Sequence, residues 1–154
     1  MLRFVSFDIV FQEVPDETTL ALNISNCPHH CKGCHSPWLW GDNGEVLDEA
    51  ALDVLMKDYG RTITCVCFMG GDGDLAGLYR MAAYVRKAFP SLKTAWYSGL
   101  SALPEGFPYE CFDYVKIGPY IEDMGPLKSP DTNQRFYAIE NGDLTDRTSR
   151  FWKK

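Results

Sequence analysis

Apolar and polar positions along the chain follow two periods, and the changes of period mark its elements. Phe4, Val5, Phe7, Ile9, Val10 and Phe11 make a run rich in β-branched and aromatic residues, which predicts a first strand over residues 3–13. Pro15-Asp16-Glu17 is a turn signal. Residues 19–25 alternate, with Leu20, Leu22 and Ile24 on one face, and predict a second strand that runs into Cys27. Pro37 to Gly44, with Trp38 and Trp40, reads as a loop. From Asp48 the period lengthens to that of a helix. Asp48 suits an N-cap, Leu47 can pack on Leu52 as a hydrophobic staple, and Ala51, Val54 and Leu55 form a stripe that Gly60 ends.

The next strand is predicted from Thr62 to Met69, closed by Gly70-Gly71-Asp72-Gly73-Asp74. Asp74 can cap a second helix whose stripe is Leu78, Met81, Ala82, Val85 and Phe89, stopped by Pro90. Residues 93–97 form a further strand, ended by Ser98-Gly99. A connector holding Pro104 and Pro108 leads to a strand over 112–117, ended by Gly118-Pro119. Residues 135–140 and 143–145 flank Asn141-Gly142, the signature of a β-hairpin, and 147–152 extend its second arm.

Strand, helix, strand, helix, strand, connector, strand is the pattern of an α/β chain with a parallel sheet and crossover helices. A complete eight-unit barrel needs about 250 residues; this chain has 154. The expectation is a single domain over 1–154, an open partial (β/α) barrel of four to six mostly parallel strands with a C-terminal β-hairpin. Sites in such folds gather at the C-terminal ends of the parallel strands.

Composition narrows the function more than the fold. A net charge of −6 argues against a duplex nucleic-acid surface, which needs clustered Lys and Arg. No run of about 18 apolar residues predicts a membrane span, and Asp8 interrupts the only apolar stretch at the N-terminus that resembles a signal peptide. A cytoplasmic protein with reduced thiols is expected. Of the six cysteines, Cys65, Cys67 and Cys111 read as packing thiols. Cys27, Cys31 and Cys34 stand in a C-x3-C-x2-C spacing, with the only histidines, His29, His30 and His35, in or beside the same loop. Three thiolates in so short a loop suit either of two centres: a 4Fe–4S cluster with one iron left open, or a zinc ion with a histidine as fourth ligand. The ligand chemistry alone leaves both open.

A cysteine loop that follows one strand, and a Gly-Gly-acid turn that follows a later one, together resemble the radical S-adenosylmethionine superfamily. Within it, Cys27 to Pro37, Gly70-Gly71-Asp72, Val115 to Tyr120 and Asn133-Gln134-Arg135 are similar to the activating proteins of anaerobic ribonucleoside-triphosphate reductases, over nearly the whole chain. The resemblance implies that Cys27, Cys31 and Cys34 hold a 4Fe–4S cluster whose open iron takes S-adenosyl-L-methionine. It implies reductive cleavage of that cofactor and a glycyl radical left on the catalytic subunit of anaerobic ribonucleotide reductase. An electron donor such as flavodoxin is implied with it.

The implied cofactor contacts are the backbone of Gly33, Cys34 and His35, the close approach allowed by Gly70 and Gly71, and the carboxylate of Asp72 on the cofactor's ammonium. Ser98, and Lys116 if it faces inward, would meet its carboxylate. Trp38, Asn133, Gln134 and Arg135 would border the opening or touch the partner. The chain departs from the family pattern at Gly33, where many members carry an aromatic, at Asp72 for glutamate and at Gly73 for proline. Gln12 to Glu17 also lacks the glycine-rich stretch of other glycyl-radical activators. Three alternatives stand beside this reading: the activator of another glycyl-radical enzyme, a small-molecule radical enzyme such as a deazaguanine-forming synthase, and a non-catalytic zinc-binding module.

Overall fold

A computed structural model of the chain describes residues 2–25 and 44–152. Among the described residues, eight strands form one sheet in the order β3-β1-β2-β4-β5-β6-β7-β8. They are β1 (Arg3–Val10), β2 (Thr19–Ile24), β3 (Glu45–Val46), β4 (Cys65–Met69), β5 (Lys93–Tyr97), β6 (Tyr114–Ile117), β7 (Arg135–Glu140) and β8 (Asp143–Asp146). Two helices, α1 (Glu49–Tyr59) and α2 (Leu75–Ala88), cross between the central strands.

The fold is therefore mixed α/β with an open sheet, and it corrects the expectation in two respects. The sheet holds one strand that was not expected, Glu45–Val46, which pairs with Arg3 and Phe4. Nor are the strands mostly parallel. Only β2–β4, β4–β5 and β5–β6 pair in parallel; β1–β2, β1–β3, β6–β7 and β7–β8 are antiparallel. A parallel pair needs a crossover, usually a helix. Residues 11–18 and 118–134 carry no helix and turn the chain back, whereas 98–113, with only a short 3-10 turn, still crosses over to make the parallel β5–β6 pair.

Local chemistry sets the helix starts. Asp48 accepts from the Ala51 amide at 2.9 Å, and Asp74 accepts from the Gly77 amide at 3.1 Å. This amide bond is the main cause that holds the Asp74 carboxyl below its ordinary value. Helix α2 buries Leu78, Met81, Ala82 and Val85, as the stripe predicts. Helix α1 buries Leu52, Leu55 and Met56, whereas Val54 is 61% exposed; Met56, not Val54, completes the i, i+3, i+4 face. Gly60 ends α1 in right-handed geometry, so no left-handed cap is used.

The sheet has two buried faces. Leu20, Leu22, Ile24, Val66, Phe68, Trp96 and Val115 pack with the helices in one core. Cys65, Cys67, Ala95 and Phe136 pack on the other face with Val14 and Leu127, which come from the two helix-free connectors. The first connector is tied down where the Tyr97 hydroxyl donates to the Glu13 carbonyl. β1 accordingly stops at Val10, short of the expected 13. The hairpin forms on Asn141 and Gly142 with φ of 54° and 81°, the pairing of positive angles that a type I′ turn requires. The chain then leaves the sheet rather than extending the arm. Thr148 accepts from the Phe136 amide at 2.9 Å and donates to Asp146, and Thr148–Phe151 closes as a 3-10 turn. Among the described residues no helix is long and apolar enough to cross a membrane.

At the edge where the parallel strands begin, Glu17 is buried and accepts from Thr64 Oγ1 (2.7 Å), Tyr114 Oη (2.7 Å) and Lys93 Nζ (3.1 Å). Burial, and then the bond to the Glu17 carboxylate, push the Tyr114 phenol up to about 12. A phenol that keeps its proton only when folded stabilises the fold below its ordinary titration, and that contribution is lost as pH rises from about 10 to about 12. In Glu17→Gln the phenol is expected to titrate lower but still above 10, since burial remains. Absorbance titration at 295 nm, against Tyr114→Phe as blank, reads the shift. An unchanged titration would show that burial alone raises it.

Candidate functional site

Strands β2, β4, β5 and β6 end on one edge of the sheet. After β4, Gly70 and Gly71 adopt φ of 116° and 100°, a backbone that side chains rarely enter. A Cβ on Gly70 would stand 3.2 Å from the Ile24 carbonyl oxygen, and one on Gly71 would stand 3.3 Å from Leu78 Cδ1. The double glycine thus lets the turn press on both the end of β2 and helix α2. The Gly70 amide donates to the Tyr97 carbonyl at 3.0 Å, and the indole N–H of Trp96 donates to the Gly70 carbonyl at 2.9 Å. Asp72 Oδ2 accepts from the Gly99 amide at 2.8 Å.

The hydrogen bonds continue across the edge. The Ser98 amide donates to the Lys116 carbonyl at 2.8 Å, and Ser98 Oγ accepts from Leu100 at 3.0 Å. Lys116 is buried and pairs in register with Tyr97 and Phe136, so it lies on the sheet face away from the helices. Its Nζ donates to the carbonyls of Ser98 (2.9 Å) and Gly118 (3.0 Å). Gly118, at φ 106°, accepts from the Gln134 amide group at 3.4 Å, and a Cβ there would lie 3.0 Å from Gln134 Cα. Asn133 donates to the Pro119 carbonyl at 3.0 Å. Gly70, Gly71, Asp72, Ser98, Lys116, Asn133 and Gln134 therefore share one belt across the ends of β4 to β7. Arg135 turns elsewhere, with Nη1 3.7 Å from Asp146 of the hairpin.

The cysteine segment leaves and rejoins the sheet at this edge. The Ser25 amide donates to the Arg3 carbonyl at 3.0 Å, and the Arg3 guanidinium donates to the Gly44 carbonyl at 3.2 Å. Cys27, Cys31, Gly33, Cys34, His35 and Trp38 fall between Ser25 and Gly44, outside the described residues.

Lys116 brings a buried ammonium to an edge that also holds the Asp72 carboxylate and several backbone carbonyls. The glycine turn packs so closely that Ile24 and Leu78 stand where a Cβ would go. Asn133 Oδ1 is buried with no hydrogen-bond partner among the described residues, an acceptor that suits a donor from a ligand. Iron needs thiolates. Among the described residues no group of three His, Cys, Asp or Glu side chains stands together to hold a metal. Cys65 and Cys67 are fully buried and their thiols are pushed well up, chiefly by that burial, so they remain protonated core groups.

Sequence reasoning overlooked Trp96, Gly99 and Gly118. Gly118 had a signal in its Gly-Pro pair. Trp96 had only a faint one, an indole hydrogen-bond donor one residue before the end of a strand.

A family model described as a 4Fe-4S single cluster domain matches residues 18–104, more than half of the chain, and this range contains Cys27, Cys31 and Cys34. No curated protein and no solved structure matches the chain.

Proposed function

We propose that this chain, which belongs to the 4Fe-4S single cluster domain family, is a radical S-adenosylmethionine enzyme that installs a glycyl radical on anaerobic ribonucleotide reductase. The observation that carries the reading is one of position. A Gly-Gly-Asp turn, a buried lysine and an unpartnered Asn133 oxygen share the edge at which the segment with three cysteines departs and returns. The four adjacent parallel strands, with both helices on one face, support the partial (β/α) barrel within the larger sheet.

In this reading Cys27, Cys31 and Cys34 hold the cluster. When bound, the cluster and S-adenosylmethionine supply an electron and a 5′-deoxyadenosyl group that takes a hydrogen atom from a glycine of the partner. The chain's own residues orient and enclose. Gly70 and Gly71 seat the turn against Ile24 and Leu78, and Lys116 adds a positive charge beside it. Asn133 receives one of the ligand's donors, and the connectors bearing Val14 and Leu127 keep water from the sheet beneath. Ile121 and Met124, 40% and 41% exposed, lie on the connector between Pro119 and Asn133 and offer apolar contact to a protein substrate. A flavodoxin-type protein suits the role of electron donor.

The test is anaerobic. Reconstituted protein, dithionite and S-adenosylmethionine are mixed with the candidate reductase subunit, and a glycyl-radical doublet is sought by electron paramagnetic resonance. The doublet, with 5′-deoxyadenosine formed, is the expected result. Deoxyadenosine without the doublet would transfer the reading to another radical enzyme of the superfamily. Neither product from cluster-loaded protein would end it.

A further inference from the structure

We infer that the groove between the two helix-free connectors and the C-terminal 3-10 turn is a docking site for an acidic segment of the protein substrate; the identity of that partner rests on the function proposed above. The groove is a cavity of about 490 Å3, aromatic at Phe11, Phe151 and Trp152 and cationic at Lys128 and Arg150. A smaller cavity of about 180 Å3 shares Asp16 and Arg150 with it and adds Arg147. Phe11 is 68% exposed, more than any other large apolar side chain among the described residues. With Phe151 and Trp152 in the same wall it forms a patch that a partner's apolar groups can cover.

Charge selects the occupant. The chain carries 15 Lys and Arg against 21 Asp and Glu, yet residues 147–154 hold Arg147, Arg150, Lys153 and Lys154 and no acid. Lys128 is exposed and has no ion-pair partner among the described residues. Arg147 pairs with Glu140 at 3.1 Å and Arg150 pairs with Asp16, and the four side chains are 46% to 72% exposed. Pairs so exposed hold weakly, so a partner's carboxylate can take the place of Asp16. A duplex or an anionic bilayer would meet the net charge of −6 over the rest of its surface. A short acidic segment meets only the groove. The groove opens at the start of β2, because Phe11 follows the Val10–Thr19 pair, whereas the cysteine segment departs beyond Ile24. Roughly 16 Å of strand separates the two. The groove therefore holds the body of the partner rather than the group that reacts.

The test uses the catalytic subunit of anaerobic ribonucleotide reductase as probe, with association read by calorimetry. Lys128→Glu combined with Arg150→Glu is expected to weaken association about tenfold to a hundredfold, and added salt should weaken the parent more than this variant. Asp16→Asn removes the internal competitor and should tighten association about threefold. Asparagine tolerates the left-handed φ of 69° at this position, so the turn is kept. 5′-Deoxyadenosine formed with dithionite in the absence of the subunit should be unchanged in both variants. Unchanged association after charge reversal, or weaker association of Asp16→Asn, overturns the inference and leaves the functional reading standing where the glycyl-radical doublet still forms. Self-association of the parent that the same reversal abolishes would assign the groove to a second copy and overturn it too. Where the double variant does not fold, Lys128→Glu alone, at an exposed side chain, and Asp16→Asn decide. A parent that binds no subunit overturns the inference; if the doublet is absent as well, the functional reading falls with it.

Discussion

Alanine at Cys27, Cys31 or Cys34 is expected to strip the iron–sulfur absorption from anaerobically reconstituted protein and take 5′-deoxyadenosine formation to background. Alanine at Cys65, Cys67 or Cys111 should leave both. The contrast follows from where the thiols stand. Cys65 and Cys67 are fully buried on the helix-free face of β4, and burial drives their titration far above neutral pH. Cys111 closes a 3-10 turn on the other side of the sheet and is also pushed up, first by burial. Protonated thiols are poor ligands. Replacing a buried cysteine should therefore cost stability, about 1 kcal/mol, and not metal. Iron and sulfide counts per chain, read with the visible spectrum, check the set. A colourless preparation with stoichiometric zinc would refute the cluster assignment. A folded Cys65→Ala protein without cluster would refute the ligand assignment.

How far the chain can be read without its structure depends on how local the chemistry is. Asp48, Asp74 and Asn141-Gly142 act on amides or torsions within three residues of themselves, and each does what its type and position predict. Strand direction is not local. β1 and β7 have the composition of their parallel neighbours, but 11–18 and 118–134 hold no crossover helix, and a connector's lack of helix is weaker in a sequence than a helix's presence. Lys116 shows the same limit. Alternation places it opposite Val115, yet which face of β6 meets the helices is decided by Phe112, Trp96 and the aromatic packing around them. The belt drew its glycines and Asp72 from a recognisable turn. Its Trp96 and Gly99 partners come from a strand about twenty-five residues on, and only the parallel pairing of β4 with β5 brings them together.

That pairing makes Gly70 a position where a single methyl group should do much harm. Gly70→Ala is expected to lower stability by about 3 kcal/mol in urea unfolding, at the upper end for a strained backbone position. It should also abolish S-adenosylmethionine binding in the cluster-loaded protein. Two costs combine. A residue with a side chain must adopt φ 116°, and its Cβ must fit 3.2 Å from both the carbonyl oxygen and Cβ of Ile24. Ile24 cannot yield easily, being 1% exposed, the last residue of β2, and packed in the main core. Displacement there moves Ser25 off Arg3, the bond from which the cysteine segment departs. Gly106→Ala is the control. Gly106 also has a positive φ, 77°, but a Cβ there meets nothing within 4 Å, so only the torsional cost of about 1 kcal/mol remains. Equal losses in the two variants would mean that the Gly70 turn has room to relax. Binding would then survive, and the close approach of β4 to the end of β2 would not be what builds the site.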